Sequence, residues 1–291
     1  MINWPDTLIK DIARRRCVIY LGSGVSHNSV NATGEHPMTW RAFLEDSVTK
    51  SGLPAEQKDE IKKKIDNYDY LMACELLRRY VGRDSFNDLV KDAFQKPKFK
   101  EADIHHHIFN LDSRIVVTPN FDKIYDTYSA SASNSTIDIK HYDDRDVASS
   151  IRKPDRIVLK MHGCISKPDK MIFSQVDYAK ARNEHRGFYQ ILNALIITQT
   201  FVFLGAGFND PDIRLLLENY SFQFQWSRKH FFVIPNNQLT EVERKIYEES
   251  LNISFILYDP ADNHKELTES LQDLVSQVER YRTEIAASQD W

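Results

Sequence analysis

Cysteine is scarce in this chain. Only Cys17, Cys74 and Cys164 occur among 291 residues, and none forms a Cys-x-x-Cys pair. A four-cysteine zinc site is therefore excluded. A sparse, odd set fits reduced thiols rather than a disulfide framework, which points to the cytoplasm. Cys164 is a candidate nucleophile by its place just after His162-Gly163, but no base adjoins it in sequence. Long hydrophobic runs are also missing. The N-terminal stretch has no apolar signal core, and the longest runs, such as residues 201–207, are too short for a bilayer. No membrane association is expected. Neither sign of charge dominates: 38 basic residues stand against 42 acidic ones, for a net charge of −4. That balance gives no electrostatic reason for tight nucleic-acid binding, so any such contact should be indirect. The runs Arg14-Arg15-Arg16 and Lys62-Lys63-Lys64 read as solvated helix faces.

What is present suits a soluble globular protein, with 42% hydrophobic and 27% charged residues. The length allows one large domain, and residues 1–291 read as a single unit. Apolar runs predict strands at 17–21, 114–118, 136–141, 156–161, 200–205, 230–235 and 253–257. Helical periodicity predicts helices at 4–15, 122–130, 176–198, 210–224, 239–250 and 264–286. The last of these is amphipathic through Leu267, Leu271, Leu274, Val278 and Tyr281. Alternating strands and helices imply an α/β, Rossmann-like, mostly parallel sheet with helices on both faces. Residues 39–110 are helical throughout and far exceed an ordinary crossover, so they predict an inserted helical module.

Three short stretches end strands with polar chemistry. Gly22-Ser23-Gly24-Val25-Ser26 follows Val18-Ile19-Tyr20-Leu21; glycines there permit close approach of a phosphate. It lacks the third glycine of the dinucleotide fingerprint, because His27 stands there. Thr118-Pro119-Asn120-Phe121-Asp122 follows Ile115-Val116-Val117. Asn120 offers a donor and an acceptor to a ribose hydroxyl or a water; Asp122 binds a carboxamide or caps the next helix. His162-Gly163 follows Ile157-Val158-Leu159, and a histidine there can act as a base or orient a hydroxyl. A second glycine turn, Gly205-Ala206-Gly207-Phe208, precedes Asn209 or Asp210 as helix cap and Pro211 in the first turn. Ligands in open α/β sheets sit beyond the carboxyl ends of strands, where all four stretches fall. His105-His106-His107 shows no carboxylate partner pattern, and no metal site is expected.

Taken together and in this order, these segments resemble the sirtuin-like NAD-binding domain from about residue 16 to about residue 260. The family pattern has a Gly-Ala-Gly-x-Ser turn, a Thr-x-Asn-x-Asp segment, a His-Gly after a strand and a later glycine turn. Here these are Gly22 to Ser26, Thr118 to Asp122, His162-Gly163 and Gly205 to Gly207. The tail Phe208-Asn209-Asp210-Pro211-Asp212-Ile213 is similar to the bacterial branch associated with antiphage defence. The resemblance implies that Asn120 and His162 are catalytic. It implies further that Gly22, Ser23, Gly24, Ser26, Thr118, Asp122, Gly205, Gly207 and Phe208 hold NAD, which is substrate, with no metal. The expected activity is NAD glycohydrolysis that depletes NAD. Such an activity needs control, and the resemblance implies a homo-oligomer and a partner chain such as a HerA-class translocase ATPase. The helical module and the helix at 264–286 are the expected assembly surfaces. Alternatives are an NAD-dependent protein deacylase and a non-catalytic NAD or ADP-ribose sensor. Against the deacylase, the chain lacks the zinc module, has no Gly-Ile-Pro-Asp-Phe-Arg stretch at 27–34, and carries Pro119 where glutamine is usual.

Overall fold

Seven short runs, six of them rich in β-branched, aromatic or other apolar residues, form strands in a computed structural model that describes residues 1–207, 210–224 and 226–289. They are β1 (Cys17–Leu21), β2 (Ile115–Thr118), β3 (Asp138–His141), β4 (Ile157–Lys160), β5 (Thr200–Leu204), β6 (His230–Pro235) and β7 (Ile253–Tyr258). They build one sheet in the order β3-β4-β2-β1-β5-β6-β7, with every neighbouring pair parallel. Register sets Ile19 beside Val116 and Val202, and Val116 beside Val158. The α/β, Rossmann-like reading of the sequence holds.

Side chains alternate between faces along each strand. Cys17, Ile19 and Leu21 join Val116, Val158, Val202 and Leu204 on one face. The helices Asp6–Ala13, Asp103–Asn110 and Ala261–Ser288 cover that face through Leu8, Ile12, Ile104, Ile108, Leu271 and Leu274. Val18 and Tyr20 face the other way with Val117, Leu159, Phe201 and Phe203. The helices Gln175–Glu184, Arg186–Thr198 and Pro211–Gln223 cover this second face. Strand order runs outward from β1 in both directions, through β2 on one side and β5 on the other. The crevice beyond the carboxyl ends of these strands is the topological switch point.

Residues 39–110 form five helices: Trp40–Lys50, Ala55–Asp66, Tyr70–Val81, Arg83–Phe94 and Asp103–Asn110. The first four share their own core of Phe43, Leu44, Val48, Leu77, Phe86 and Val90. Cys164, Ile165, Met171 and Phe173, from the segment after β4, complete that core. The fifth packs instead on the sheet beside the C-terminal helix. Periodicity alone does not separate the two cases, because an amphipathic helix shows the same stripe whichever apolar surface it meets.

One helix expectation is corrected and the C-terminal one, at 264–286, holds. The stretch 176–198 is two helices, because His185 leaves helical geometry at φ −115° and ψ 40°. The C-terminal helix spans Ala261–Ser288, but Asp262, Asn263 and His264 have left-handed angles, so the regular helix starts after His264. Among the described residues, no helix is long and apolar enough to cross a membrane.

Candidate functional site

The two glycine turns meet at the switch point. The Gly22 N–H donates to the Leu204 carbonyl and the Gly24 N–H to the Gly205 carbonyl, both at 2.9 Å. A Cβ on Gly22 would lie 2.3 Å from the Gly205 oxygen and 2.5 Å from the Ala206 Cα. Backbone packs directly on backbone, so these glycines have a structural reason that does not depend on a phosphate. Gly163 has another: its φ is +81°, and a Cβ there would sit 2.5 Å from the Lys170 carbonyl oxygen.

A cavity of about 420 Å³ opens beside the joined turns. Gly22, Ser23, Ser26, Asn120, Asp122, His162 and Gly207 all line it. The wall opposite comes from the helical module, through Trp40, Tyr70, Leu71 and Phe94. Gly24 and Gly205 line a smaller neighbouring cavity of about 180 Å³, with Ser23, His27, Tyr258 and His264. Thr118 lines neither. Its buried hydroxyl donates to the Leu21 carbonyl at 2.8 Å and accepts from the Asn120 N–H at 3.0 Å, so it fixes Asn120 from below. Phe208, expected at the second turn, lies outside the described residues, as does Asn209.

Asn120 is held by its amide nitrogen. Nδ2 donates to the Gly22 carbonyl at 2.9 Å and to the Ser26 hydroxyl at 3.1 Å. Ser26 in turn donates to Asp122 Oδ2 at 2.8 Å. Asp122 Oδ1 accepts from the Ile124 N–H at 2.9 Å, a turn just ahead of the helix Ile124–Ala132. This leaves Asn120 Oδ1 as an acceptor with no protein partner among the described residues.

His162 stands two residues beyond β4, 5% exposed. Its Nε2 lies 3.2 Å from Asp212 Oδ2 and 3.9 Å from Asp210 Oδ2. The Tyr178 ring packs edge-on, with centroids 5.0 Å apart. Asp212 also takes the Arg182 Nε at 2.7 Å and the Tyr189 hydroxyl at 3.1 Å. Here the break at His185 has its use. It lets Arg182 from one helix and Tyr189 from the next converge on one carboxylate, while Tyr178 packs on the imidazole. Burial disfavours the charged imidazole, but Asp210 and then Asp212 outweigh it and raise the His162 pKa. Burial also works against the Asp212 carboxylate; the bond to His162 and the Arg182 charge still bring its pKa below the usual value. Asp210 is pushed up, burial being the main cause, although His162 opposes this. Its Oδ1 caps the helix Pro211–Gln223, accepting from the Asp212 and Ile213 N–H groups at 2.8 and 3.2 Å. Donor atoms of His162, Asp210 and Asp212 lie within 4.8 Å of one another. Arg182 already balances the second carboxylate there, so charge balance does not call for a metal.

An imidazole whose Nε2 faces a carboxylate carries its proton on that nitrogen when neutral. Nδ1 is then the free base, and no described residue bonds it. A base on one wall and the Asn120 acceptor in the same cavity are what positioning a ribose hydroxyl or a nucleophilic water requires.

Several partners escaped the sequence reading. Arg182 and Tyr189 left no local mark, and Asp212 reads only as part of the tail after the second glycine turn. Lys160 did: it is a lysine inside an apolar strand. It is fully buried, and its Nζ donates to Asp126 Oδ2 at 2.6 Å and to the Asp122 carbonyl at 2.5 Å. Burial works against its charge, yet the Asp126 and Asp122 carboxylates hold its pKa above the ordinary lysine value. The base missing beside Cys164 in sequence arrives from β3. Burial alone would raise the thiol, but a bond from His141, the Lys160 charge and the Ser166 hydroxyl bring it down to about 7. His141 Nδ1 lies 3.3 Å from Asp144 Oδ2.

Residues 114–256 match the SIR2-like domain family. The chain is 23% identical over 281 residues to the NAD(+) hydrolase ThsA of Bacillus cereus (strain MSX-D12), covering 92% of this chain and 56% of that protein. It is 27% identical over 248 residues to Defense-associated sirtuin 2 of Bacillus subtilis, covering 83% of this chain and 23% of that one. With the NAD(+) hydrolase ThsA of Enterococcus faecium it shares 22% over 258 residues, 88% of this chain and 49% of that protein. The chain thus spans about half or less of the length of these curated relatives.

Proposed function

We propose that this chain is a sirtuin-like NAD glycohydrolase that cleaves the bond between nicotinamide and ribose. The observation that carries the reading is His162, bonded through Nε2 to Asp212 and unbonded at Nδ1, in one cavity with Asn120. The relatives named as NAD(+) hydrolases support the substrate. NAD bears a positive charge on nicotinamide, so the leaving group departs neutral and needs no acid. As the C1′–N bond breaks, the ribose gains oxocarbenium character. The oxygen of a water bonds to C1′, and its proton passes to His162 Nδ1 and then to solvent. The products are nicotinamide, ADP-ribose and a proton.

In this reading, Asn120 Oδ1 accepts a hydrogen bond from the ribose or the water, while Asp122 borders the nicotinamide carboxamide. The larger cavity takes the nicotinamide half. The smaller one, across the glycine turn, takes the adenosine half, so that Gly22, Ser23, Gly24, Gly205 and Gly207 lie along the pyrophosphate. Thr118 and Ser26 act by holding Asn120. The setting that fits is the cytoplasm of a bacterium under phage attack, with the activity restrained by self-association and by a partner such as a HerA-class ATPase. The similarity to a defence-associated sirtuin supports that setting.

Nicotinamide release from NAD tests the reading. Parent protein should release it, and treatment with a chelator should leave the rate unchanged. His162→Ala and Asn120→Ala should fold, bind NAD and release none. Turnover by both variants at the parent rate would overturn the assignment.

A further inference from the structure

Tyr20 is the most anomalous side chain near the cavity. It sits on β1, two residues before the glycine turn, and is 0% exposed. Its ring packs against Phe203 at 5.1 Å between centroids. Its hydroxyl has no hydrogen-bond partner among the described residues. A buried hydroxyl left so loses its hydration with nothing in return. Phenylalanine would fill the same space at no such cost, so packing does not account for the oxygen.

The surroundings suggest what does. Tyr20 borders the same cavity as His162, Tyr178 and Asp210. Asp210 spends Oδ1 on the helix cap, while Oδ2 lies 3.9 Å from His162 Nε2, too far to be a hydrogen bond. The cavity therefore has a buried donor in Tyr20 Oη and an acceptor in Oδ2 of the partly buried Asp210. Burial, followed by the Asp210 charge, holds the Tyr20 phenol well above its ordinary range, so it stays protonated and able to donate.

We propose that Tyr20, with Asp210, holds the water that attacks C1′. This rests on the glycohydrolase reading above. Tyr20 Oη donates to one lone pair of the water, and the other lone pair is aimed at C1′. One water hydrogen goes to Asp210 Oδ2 and the second to His162 Nδ1, which keeps that proton as the carbon–oxygen bond forms. One donor, two acceptors and a target satisfy all four directions of a water, the coordination a buried water needs. The same geometry discriminates against bulkier alcohols, because both oxygen-bound hydrogens are used.

Tyr20→Phe removes only the hydroxyl, and thermal unfolding checks that the fold is kept. Three quantities are read on parent and variant: NAD affinity, kcat for nicotinamide release, and the share of methyl ADP-ribose formed in buffered methanol. We expect unchanged affinity, kcat lowered about fivefold or more, the loss of one hydrogen bond, and a larger methanol share. Asp210→Asn, which can still cap the helix, should move the methanol share the same way. A structural role alone would alter melting without altering the partition between water and methanol. If parent and Tyr20→Phe agree in kcat and in methanol share, the Tyr20 assignment is wrong and the glycohydrolase reading stands. If the parent releases no nicotinamide, that reading fails and takes this one with it.

Discussion

Asp212 Oδ2 lies 3.2 Å from His162 Nε2, and both side chains are buried. A carboxylate in that place does two things: it fixes the tautomer and it stabilises the imidazolium. Because Asp210 and Asp212 raise the His162 pKa against burial, the free-base form exists only above that raised value. Activity should therefore fall as pH drops through it. Asp212→Asn removes part of the raising field, so the acid limb of the kcat profile should move to lower pH. The plateau should fall roughly tenfold or more, since the tautomer is no longer enforced. An acid limb that stays in place would detach Asp212 from the histidine's role.

Gly22 leaves no room for a side chain. The atoms a Cβ would meet are the Gly205 oxygen and the Ala206 Cα, which are backbone and cannot rotate away. Gly22→Ala should destabilise the fold by about 2 kcal/mol or more, the usual scale for overpacking a core. Urea unfolding reads this as a lower midpoint at unchanged slope. Activity should fall too, since the Gly22 carbonyl anchors the Asn120 amide. A fully stable variant would show that the two turns are free to part.

Lys160 and Asp126 form an ion pair with side chains 1% and 5% exposed. Removing one partner from such a pair strands a buried charge, at a cost of about 3–5 kcal/mol. Lys160→Met should fall in that range by chemical denaturation. The double variant with Asp126→Leu should recover most of the loss, because no charge is then left behind. If single and double variants are equally unstable, Lys160 matters for its hydrogen bond to the Asp122 carbonyl rather than for its charge.

Most strands were legible because they are short apolar runs closed by a polar or glycine turn, as in Ile115-Val116-Val117 before Thr118; the edge strand Asp138–His141 is polar and half-buried. Asn120, Asp122 and His162 were legible because they follow such runs and so fall at strand ends. The rest depended on distance along the chain. Arg182 reaches Asp212 across thirty positions, and reading 176–198 as one helix concealed the break that lets it. The glycine turns were recognisable as turns, but their mutual packing was not, since Gly22 and Gly205 share no local pattern. Tyr20 looked like one more apolar strand residue. Only its unbonded hydroxyl sets it apart, and no sequence pattern reports that.

Phe121 separates Asn120 from Asp122 in sequence, yet its ring sits among the module's aromatics. It lies 5.0 Å from Phe94, 5.0 Å from Phe173 and 6.3 Å from Trp40. The loop that presents Asn120 is thus pinned by a module whose own core also closes on residues from the segment after β4. Sheet and module therefore cannot melt independently: loosening one releases the other's anchor, and heating should show a single cooperative transition. In such an arrangement a half-folded chain is also an inactive one.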